Sequence, residues 1–138
     1  MDGQGVWHNR HGRFRRKKII DHFNAAIGHD DGGFYVCQER GDILEKVYFS
    51  CEDTAYFAVS VDLKPAPPRL TLNTGRVIDL VPRHLFTRDD GLFMNHDELG
   101  LVKFAERALM TVGPCLQGTE TAPLFVLQGR EYPLPEKQ

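Results

Sequence analysis

The chain has 138 residues, of which 41 % are hydrophobic and 26 % are charged, a composition typical of a globular protein rather than a disordered one. Its 17 basic and 19 acidic side chains give a formal charge of -2, so no overall positive field commits it to nucleic acid or to an anionic membrane. This length is that of a single compact domain, which we predict to span residues 1–138.

The first 50 residues are predicted to form a hairpin, a helix and a second hairpin. A polar turn at residues 9–12 indicates the first hairpin. Apolar residues at helical spacing then predict a helix that is capped at Gly28. These apolar residues are Ile19, Ile20, Phe23, Ala26 and Ile27. Residues 34–38 and 43–50 are rich in Tyr, Phe and Val, and the tight link between them predicts the second hairpin.

The middle of the chain, residues 51–81, is predicted to supply bridging strands. Residues 54–62 predict a strand that is buried on at least one face. Thr74 and Gly75 form a turn signal between two further strands, which is the clearest predicted hairpin in the sequence. Residues 82–90 are predicted to be a loop.

The last third of the chain has the same predicted order as the first. Strands at residues 92–95 and 101–104 precede a helix at residues 105–112, and a hairpin at residues 124–134 follows. We therefore predict two similar hairpin-helix-hairpin units, at about residues 5–50 and 91–135. The predicted fold is α+β, with a mainly antiparallel sheet and two helices. Its predicted core includes Ile20, Phe23, Ile27, Tyr35, Val59, Leu72, Leu109 and Phe125.

Two short motifs, combined with this order of elements, resemble a known protein family. The motifs are Glu45-Lys46-Val47-Tyr48-Phe49 and Glu52-Asp53-Thr54-Ala55-Tyr56-Phe57. With the opening Gly-x-Trp hairpin and a helix led by two basic residues, they resemble the uncharacterised bacterial family called domain of unknown function 1285. The resemblance implies an α+β fold with repeated units and a link to signal transduction. It transfers no catalytic residue, because the family supplies none.

A group of basic side chains at the start of the first predicted helix is the main candidate site. We define the basic cluster as Arg13, Arg15, Arg16, Lys17 and Lys18. Cations near a helix N-terminus are unfavourable by about 0.3 to 1 kcal/mol each at low salt. A small anionic ligand or an acidic protein would offset this cost, nucleic acid is a weaker alternative, and a solvated charged face is the interpretation without function.

The adjacent carboxylates Glu52 and Asp53 are the second candidate, because carboxylates between apolar strands are costly to bury without donors. In one interpretation Asp53 accepts backbone hydrogen bonds and shapes the corner before Tyr56. In the other, a carboxylate lies at the edge of a ligand pocket floored by Tyr48, Tyr56 and Phe57.

Signals for catalysis, metal binding and export are weak. The only serines, Ser50 and Ser60, are outside any nucleophile elbow, and there is no glycine-rich phosphate loop. The three cysteines have no CxxC spacing, and His8, His11 and His29 are interpreted as surface histidines, so no metal and no cofactor is predicted. No signal peptide or membrane-spanning run is recognised, which predicts a cytoplasmic protein.

These observations predict a non-enzymatic module that binds a ligand or a protein in a regulatory role. The alternative from another class is an enzyme that acts on a small anionic substrate, with Glu52 or Asp53 as its base. Nucleic-acid binding is weaker still, because only Trp7 and Phe14 lie beside the cations. Neither the ligand nor the oligomeric state follows from the sequence.

Overall fold

A computed structural model describes residues 1–137 of the chain. They form 14 strands in four sheets and two α-helices. Every pair of strands within residues 1–137 is antiparallel except one. The predicted α+β class, with mainly antiparallel pairing and two helices, is therefore confirmed. Neither helix in this part of the chain is long and apolar enough to cross a membrane.

The N-terminal segment consists of a two-stranded hairpin, a helix and a three-stranded sheet. Its elements are β1 (His8–Asn9), β2 (Gly12–Arg13), α1 (Lys17–Ala25), β3 (Ile27–Asp30), β4 (Gly33–Arg40) and β5 (Ile43–Tyr48). The central strand of the sheet is β4, which pairs with β3 and β5. The predicted first and second hairpins are present, and β3 is an additional strand.

The predicted end of the first helix is wrong by two residues. Ile27 and Gly28 are in β3, where they pair with Val36 and Tyr35. A β-branched residue at 27 suits a strand, and cross-strand contacts override the helical spacing that includes it. Gly28 is therefore not a helix cap. A Cβ at this position would lie 2.7 Å from the Tyr35 hydroxyl oxygen, so glycine lets the ring of Tyr35 cross the strand.

A six-stranded sheet forms the centre of the fold. Its strands are β6 (Phe57–Asp62), β7 (Arg69–Leu72), β8 (Val77–Asp79), β9 (Leu85–Arg88), β10 (Gly91–His96) and β11 (Gly100–Phe104), in the order β8-β7-β6-β11-β10-β9. The exceptional parallel pair joins β6 to β11. The bridging strands and the hairpin β10–β11 thus belong to one sheet.

The prediction of a loop at residues 82–90 is also wrong. A short 3-10 helix (Pro82–His84) leads into β9, which pairs with β10. Leu85 and Phe86 are each only 1 % exposed, and the ring of Phe86 stacks on Phe93 with centroids 5.5 Å apart. Only two apolar residues occur in this strand, with Pro82 before them and polar residues after them. This local pattern is typical of a loop, so the strand was not predicted.

The C-terminal segment consists of a second helix and a three-stranded sheet. Its elements are α2 (Glu106–Val112), a 3-10 turn (Gly113–Cys115), β12 (Leu116–Gly118), β13 (Pro123–Leu127) and β14 (Arg130–Pro133). β13 is central in this sheet. Both ends of the chain therefore run hairpin, helix, three-stranded sheet. The internal repeat at residues 5–50 and 91–135 stays a prediction, as does the single domain.

The main core lies against the six-stranded sheet, α2 and the C-terminal sheet, and includes Tyr56, Leu70, Leu72, Val102, Phe104, Ala108, Val112 and Phe125. Leu72 and Phe125 were predicted to be in this core. The other predicted core residues are only half-buried, namely Ile20, Phe23, Ile27, Tyr35, Val59 and Leu109. Ile20 and Phe23 are half-buried because α1 does not pack against the main core, and none of its residues is fully buried. Its apolar face instead contacts the rings of Trp7, which is buried, and Phe14, which is half-buried.

Phe23 illustrates this shallow packing of α1. Its ring centroid lies 5.6 Å from that of Trp7 and 5.4 Å from that of Phe14, with the side chain half-buried. Because full burial of a Phe contributes about 1.5 to 3 kcal/mol, we expect Phe23→Ala to lower the free energy of unfolding by about 1 to 2 kcal/mol. Urea denaturation followed by circular dichroism measures this. A loss of about 4 kcal/mol would show that α1 is docked as a core helix.

Candidate functional site

The hairpin β1–β2 and the start of α1 position the basic cluster. Asn9 Oδ1 accepts a hydrogen bond from the backbone N–H of His11 at 2.8 Å and so closes the hairpin turn. The backbone N–H of Phe14 donates to the carbonyl of Trp7 at 2.8 Å, which extends the hairpin toward the helix. Arg16 is the extended residue that precedes α1. Arg13 in β2, Arg15 in the link and Arg16 before α1 are thereby brought together at the start of the helix.

Three arginines of the cluster, Arg13, Arg15 and Arg16, line a cavity of about 370 Å³, which we name the basic cavity. Its other lining residues are Asn9, His11, Phe14, Ile19 and Phe23. The walls are therefore both cationic and apolar, and no carboxylate of the described residues lines the cavity. Sequence reasoning found the arginines and missed the apolar wall, although Ile19 and Phe23 have the i, i+4 spacing that puts them on one helix face.

The charges of the basic cluster are largely uncompensated. Within residues 1–137, Arg13, Arg15, Arg16 and Lys18 form no ion pair. Lys17 differs, because its Nζ lies 2.6 Å from Asp21 Oδ2. The first turn of α1 contains no acidic residue. The arginines thus repel one another, and an anion in the cavity would relieve that repulsion.

A second, smaller cavity shares Phe14 and Phe23 as walls with the first. It has a volume of about 150 Å³, and we name it the apolar cavity. Its remaining walls are Trp7, Val36, Gln38, Val47 and Phe49. The indole Nε1–H of Trp7 donates to Asn24 Oδ1 at 2.8 Å, which fixes the ring. The rings of Trp7 and Phe49 lie 4.6 Å apart, so the cavity is built mainly from aromatic faces and edges.

Asp53 is placed by a lysine from a distant strand. Its Oδ2 lies 3.0 Å from Nζ of Lys103 in β11, and the same ammonium donates to the carbonyl of Gly3 at 2.8 Å. Asp53 therefore joins the N-terminal residues to the central sheet through Lys103. The neighbouring Glu52 is exposed. The partner of Asp53 is thus an ammonium group, whereas sequence reasoning offered backbone donors or a ligand.

Tyr48 and Tyr56 contact different partners and are not brought together with the acidic pair. The hydroxyl of Tyr48 donates to Asp30 Oδ2 at 2.8 Å, and Nζ of Lys46 lies 2.9 Å from the same oxygen. The bond from Lys46, followed by that from Tyr48, lowers the pKa of Asp30. Tyr56 is buried, and its hydroxyl lies 2.7 Å from Nδ1 of His29. Both tyrosines therefore already have partners within the chain.

A cavity of about 480 Å³ beside the start of α2 was not predicted; its walls include Phe57, Asp89, Asp90, Lys103 and Glu106. Asp89 and Asp90 have positive φ angles of 48° and 65° in the turn between β9 and β10. Because Lys103 is held by Asp53 and Gly3, the remaining charges at this cavity are acidic, and it offers no second anion site. No cluster of three or more metal-ligating side chains occurs within residues 1–137.

Comparison with known proteins relates the fold to two crystal structures. No protein-family model and no curated protein matches the chain. A DUF1285 family protein from Silicibacter pomeroyi is similar with a TM-score of 0.64 and 13 % identity, over 96 % of this chain and 76 % of that one. A DUF1285 family protein from Shewanella baltica is similar with a TM-score of 0.55 and 14 % identity, over 76 % of this chain and 81 % of that one. The chain therefore has a DUF1285-like fold, as its sequence motifs indicated.

Proposed function

We propose that this protein is a cytoplasmic, non-enzymatic binding module whose basic cavity binds a small anionic ligand. The observation that carries the proposal is the convergence of Arg13, Arg15 and Arg16, all without ion-pair partners among the described residues, on one cavity. A guanidinium presents a planar fork of donors that matches a carboxylate or a phosphate. We therefore expect the ligand to carry either a free carboxylate group or a phosphate group.

The size of the basic cavity favours a small ligand over an acidic protein. Its volume of about 370 Å³ is within the range of about 300 to 1,000 Å³ that is typical of small-molecule sites. A protein partner would need about 800 Å² of contact surface on each side. The cavity with its arginines supplies specific contacts for one anionic group, whereas the exposed Lys18 lies beside it without lining it.

The chemistry of the cavity wall supports binding without turnover. General acid-base catalysis needs a titratable group within hydrogen-bond reach of the substrate. Glu52 and Asp53 do not line the basic cavity, and Asp53 is engaged by Lys103. The wall contains one histidine, His11, and no carboxylate of the described residues. A regulatory role, in which occupancy is the output, is consistent with this inventory and with the link to signal transduction that the family resemblance implies.

Charge reversal tests the proposal. We expect Arg15→Glu/Arg16→Glu to weaken binding of inorganic phosphate and phenyl phosphate by about a hundredfold or more, because two charge-assisted hydrogen bonds are lost. Binding to the wild type should also weaken as salt rises from about 0.01 to about 0.1 M, where the Debye length falls from about 30 to about 10 Å. Isothermal titration calorimetry at both salt concentrations measures these changes.

The matched control is Arg83→Glu/Arg130→Glu, which makes the same charge change at exposed positions away from the cavity. It should bind both anions as the wild type does. The melting temperature of Arg15→Glu/Arg16→Glu should be unchanged or slightly higher, since the substitution removes cations from the start of α1. Equal affinities for the two double variants, or no binding of either anion to the wild type, would contradict the proposal.

A further inference from the structure

We infer that the ligand is an amphipathic anion, with its charged group at the arginines and one aromatic ring in the apolar cavity. This inference rests on the proposed function, because it takes the anionic group to be bound in the basic cavity. It adds the chemical class of the rest of the ligand, a small aryl phosphate or aryl carboxylate.

The first support is the apolar surface that the basic cavity itself contains. Phe14, Ile19 and Phe23 form part of its wall beside the arginines. Ile19 is 42 % exposed although it is a large aliphatic residue. An inorganic anion would contact the guanidinium groups and leave this surface in water. A ligand with an apolar portion removes the same surface from water, which is the favourable contribution that such walls offer.

The second support is the position and size of the apolar cavity. It shares Phe14 and Phe23 with the basic cavity, so the same two rings border both the space beside the arginines and an apolar space. The volume of about 150 Å³ equals that of an engineered cavity, lined by Leu, Ile and Phe, that binds benzene. One ring fits this volume.

The third support is the chemistry of that cavity's wall. Trp7, Phe14, Phe23 and Phe49 all contribute rings, and Gln38 is the one polar residue in the wall. Neighbouring rings are tilted against each other, with interplanar angles of 53° for Trp7 and Phe23 and 59° for Trp7 and Phe49. Aromatic rings favour such tilted contacts. A further ring in the cavity can therefore pack against faces and edges that are already oriented, so the wall favours an aryl group over an alkyl chain.

The single tryptophan of the sequence makes the inference directly testable. Because Trp7 lines the apolar cavity, its fluorescence reports an aryl group there. We expect phenyl phosphate to bind at least about tenfold more tightly than inorganic phosphate, and to change the Trp7 emission where inorganic phosphate does not. Benzoate against acetate is the corresponding carboxylate pair and should give the same order.

A cavity-filling variant separates the two parts of the site. Val47→Phe introduces a larger side chain at a wall of the apolar cavity, on a half-exposed position of β5. It should reduce the affinity for phenyl phosphate to that for inorganic phosphate. Val77→Phe is the matched control, a Val on the exposed face of β8 that lines neither cavity, and it should retain the wild-type preference. Unchanged circular dichroism spectra verify that both variants are folded.

The outcomes distinguish the inference from the proposed function. If inorganic phosphate binds through the arginines but phenyl phosphate binds no more tightly, the inference is wrong and the proposed function stands. If Val47→Phe keeps the full preference for phenyl phosphate, the ring lies elsewhere and the inference is wrong. If no anion binds, or if Arg15→Glu/Arg16→Glu binds anions as the wild type does, the proposed function fails.

Discussion

Phe125→Ala is expected to lower the free energy of unfolding by about 3 to 5 kcal/mol. Phe125 is 0 % exposed and lies in β13, the central strand of the C-terminal sheet, where it packs into the main core. Removing the ring deletes its apolar contacts and leaves a cavity that close-packed neighbours fill only in part. Chemical denaturation followed by far-ultraviolet circular dichroism measures the change.

Leu116→Ala is the matched control for Phe125→Ala. Leu116 lies directly opposite Phe125 in the register of β12 and β13 but is 38 % exposed. We expect its substitution to cost about 1 to 2 kcal/mol, because a side chain that is already 38 % exposed loses only part of the roughly 1.5 to 3 kcal/mol that full burial of a Leu contributes. Similar losses for the two variants would mean that the C-terminal sheet is not docked on the core. Trp7 fluorescence, recorded in the same titrations, reports whether the N-terminal aromatic residues unfold together with that core.

The hairpins were predictable because their signals are local. At residues 74–75 a turn-forming Thr-Gly pair separates two alternating segments, and Gly75 adopts a positive φ of 92° that glycine tolerates best. Burial alternates along β7, with Leu70 and Leu72 buried and the intervening Thr71 less so. Turn chemistry and a period of two act over a few residues, and both can be read without knowing the rest of the chain.

The strands β3 and β9 could not be predicted, because they form only through pairing with β4 and β10 and not through a local sequence pattern. Ile27 continues the helical spacing of α1, yet the chain leaves the helix to pair Ile27 with Val36. Leu85 pairs with Met94 across a turn in which Asp89 and Asp90 adopt positive φ angles. No glycine marks these two positions, so the turn could not be recognised from the sequence. In both cases a cross-strand contact overrides the local pattern.

The candidate site was only partly predictable for the same reason. The density of charge from Arg13 to Lys18 stands out in the sequence and needs no structure. Helical spacing also indicates that Phe23 lies on an apolar face of α1, but it cannot say whether that face meets the main core or a shallow aromatic layer. Asp53 and its partner Lys103 are fifty residues apart, so the role of that carboxylate depends entirely on how β11 is placed.

The structure also explains why the motif around Thr54 matters to the fold. Thr54 is 0 % exposed, and among residues 1–137 it is the one polar side chain in the buried class. Its Oγ1 donates to the carbonyl of Leu101 at 2.7 Å and accepts the backbone N–H of Tyr56 at 3.2 Å. One hydroxyl therefore links the segment before β6 to β11, next to the parallel pair at the centre of the sheet.

Thr54→Val is accordingly expected to lower the free energy of unfolding by about 2 to 4 kcal/mol. Valine keeps the shape of the side chain and removes the hydroxyl. The buried Tyr56 N–H then loses its partner, at about 1 to 3 kcal/mol, and the part-buried Leu101 carbonyl loses one at a smaller cost. Urea denaturation again provides the measurement. Thr111→Val makes the same change on the exposed surface of α2 and should stay within about 0.5 kcal/mol of the wild type.

Thr54→Ser identifies which part of the side chain carries this effect. Serine retains the hydroxyl and loses one methyl group, which should cost about 1 kcal/mol. If the two hydrogen bonds dominate, stability falls in the order wild type, Thr54→Ser, Thr54→Val. If packing of the methyl group dominates instead, Thr54→Val is the more stable of the two variants, and the link between β6 and β11 is an apolar contact rather than a shared hydroxyl.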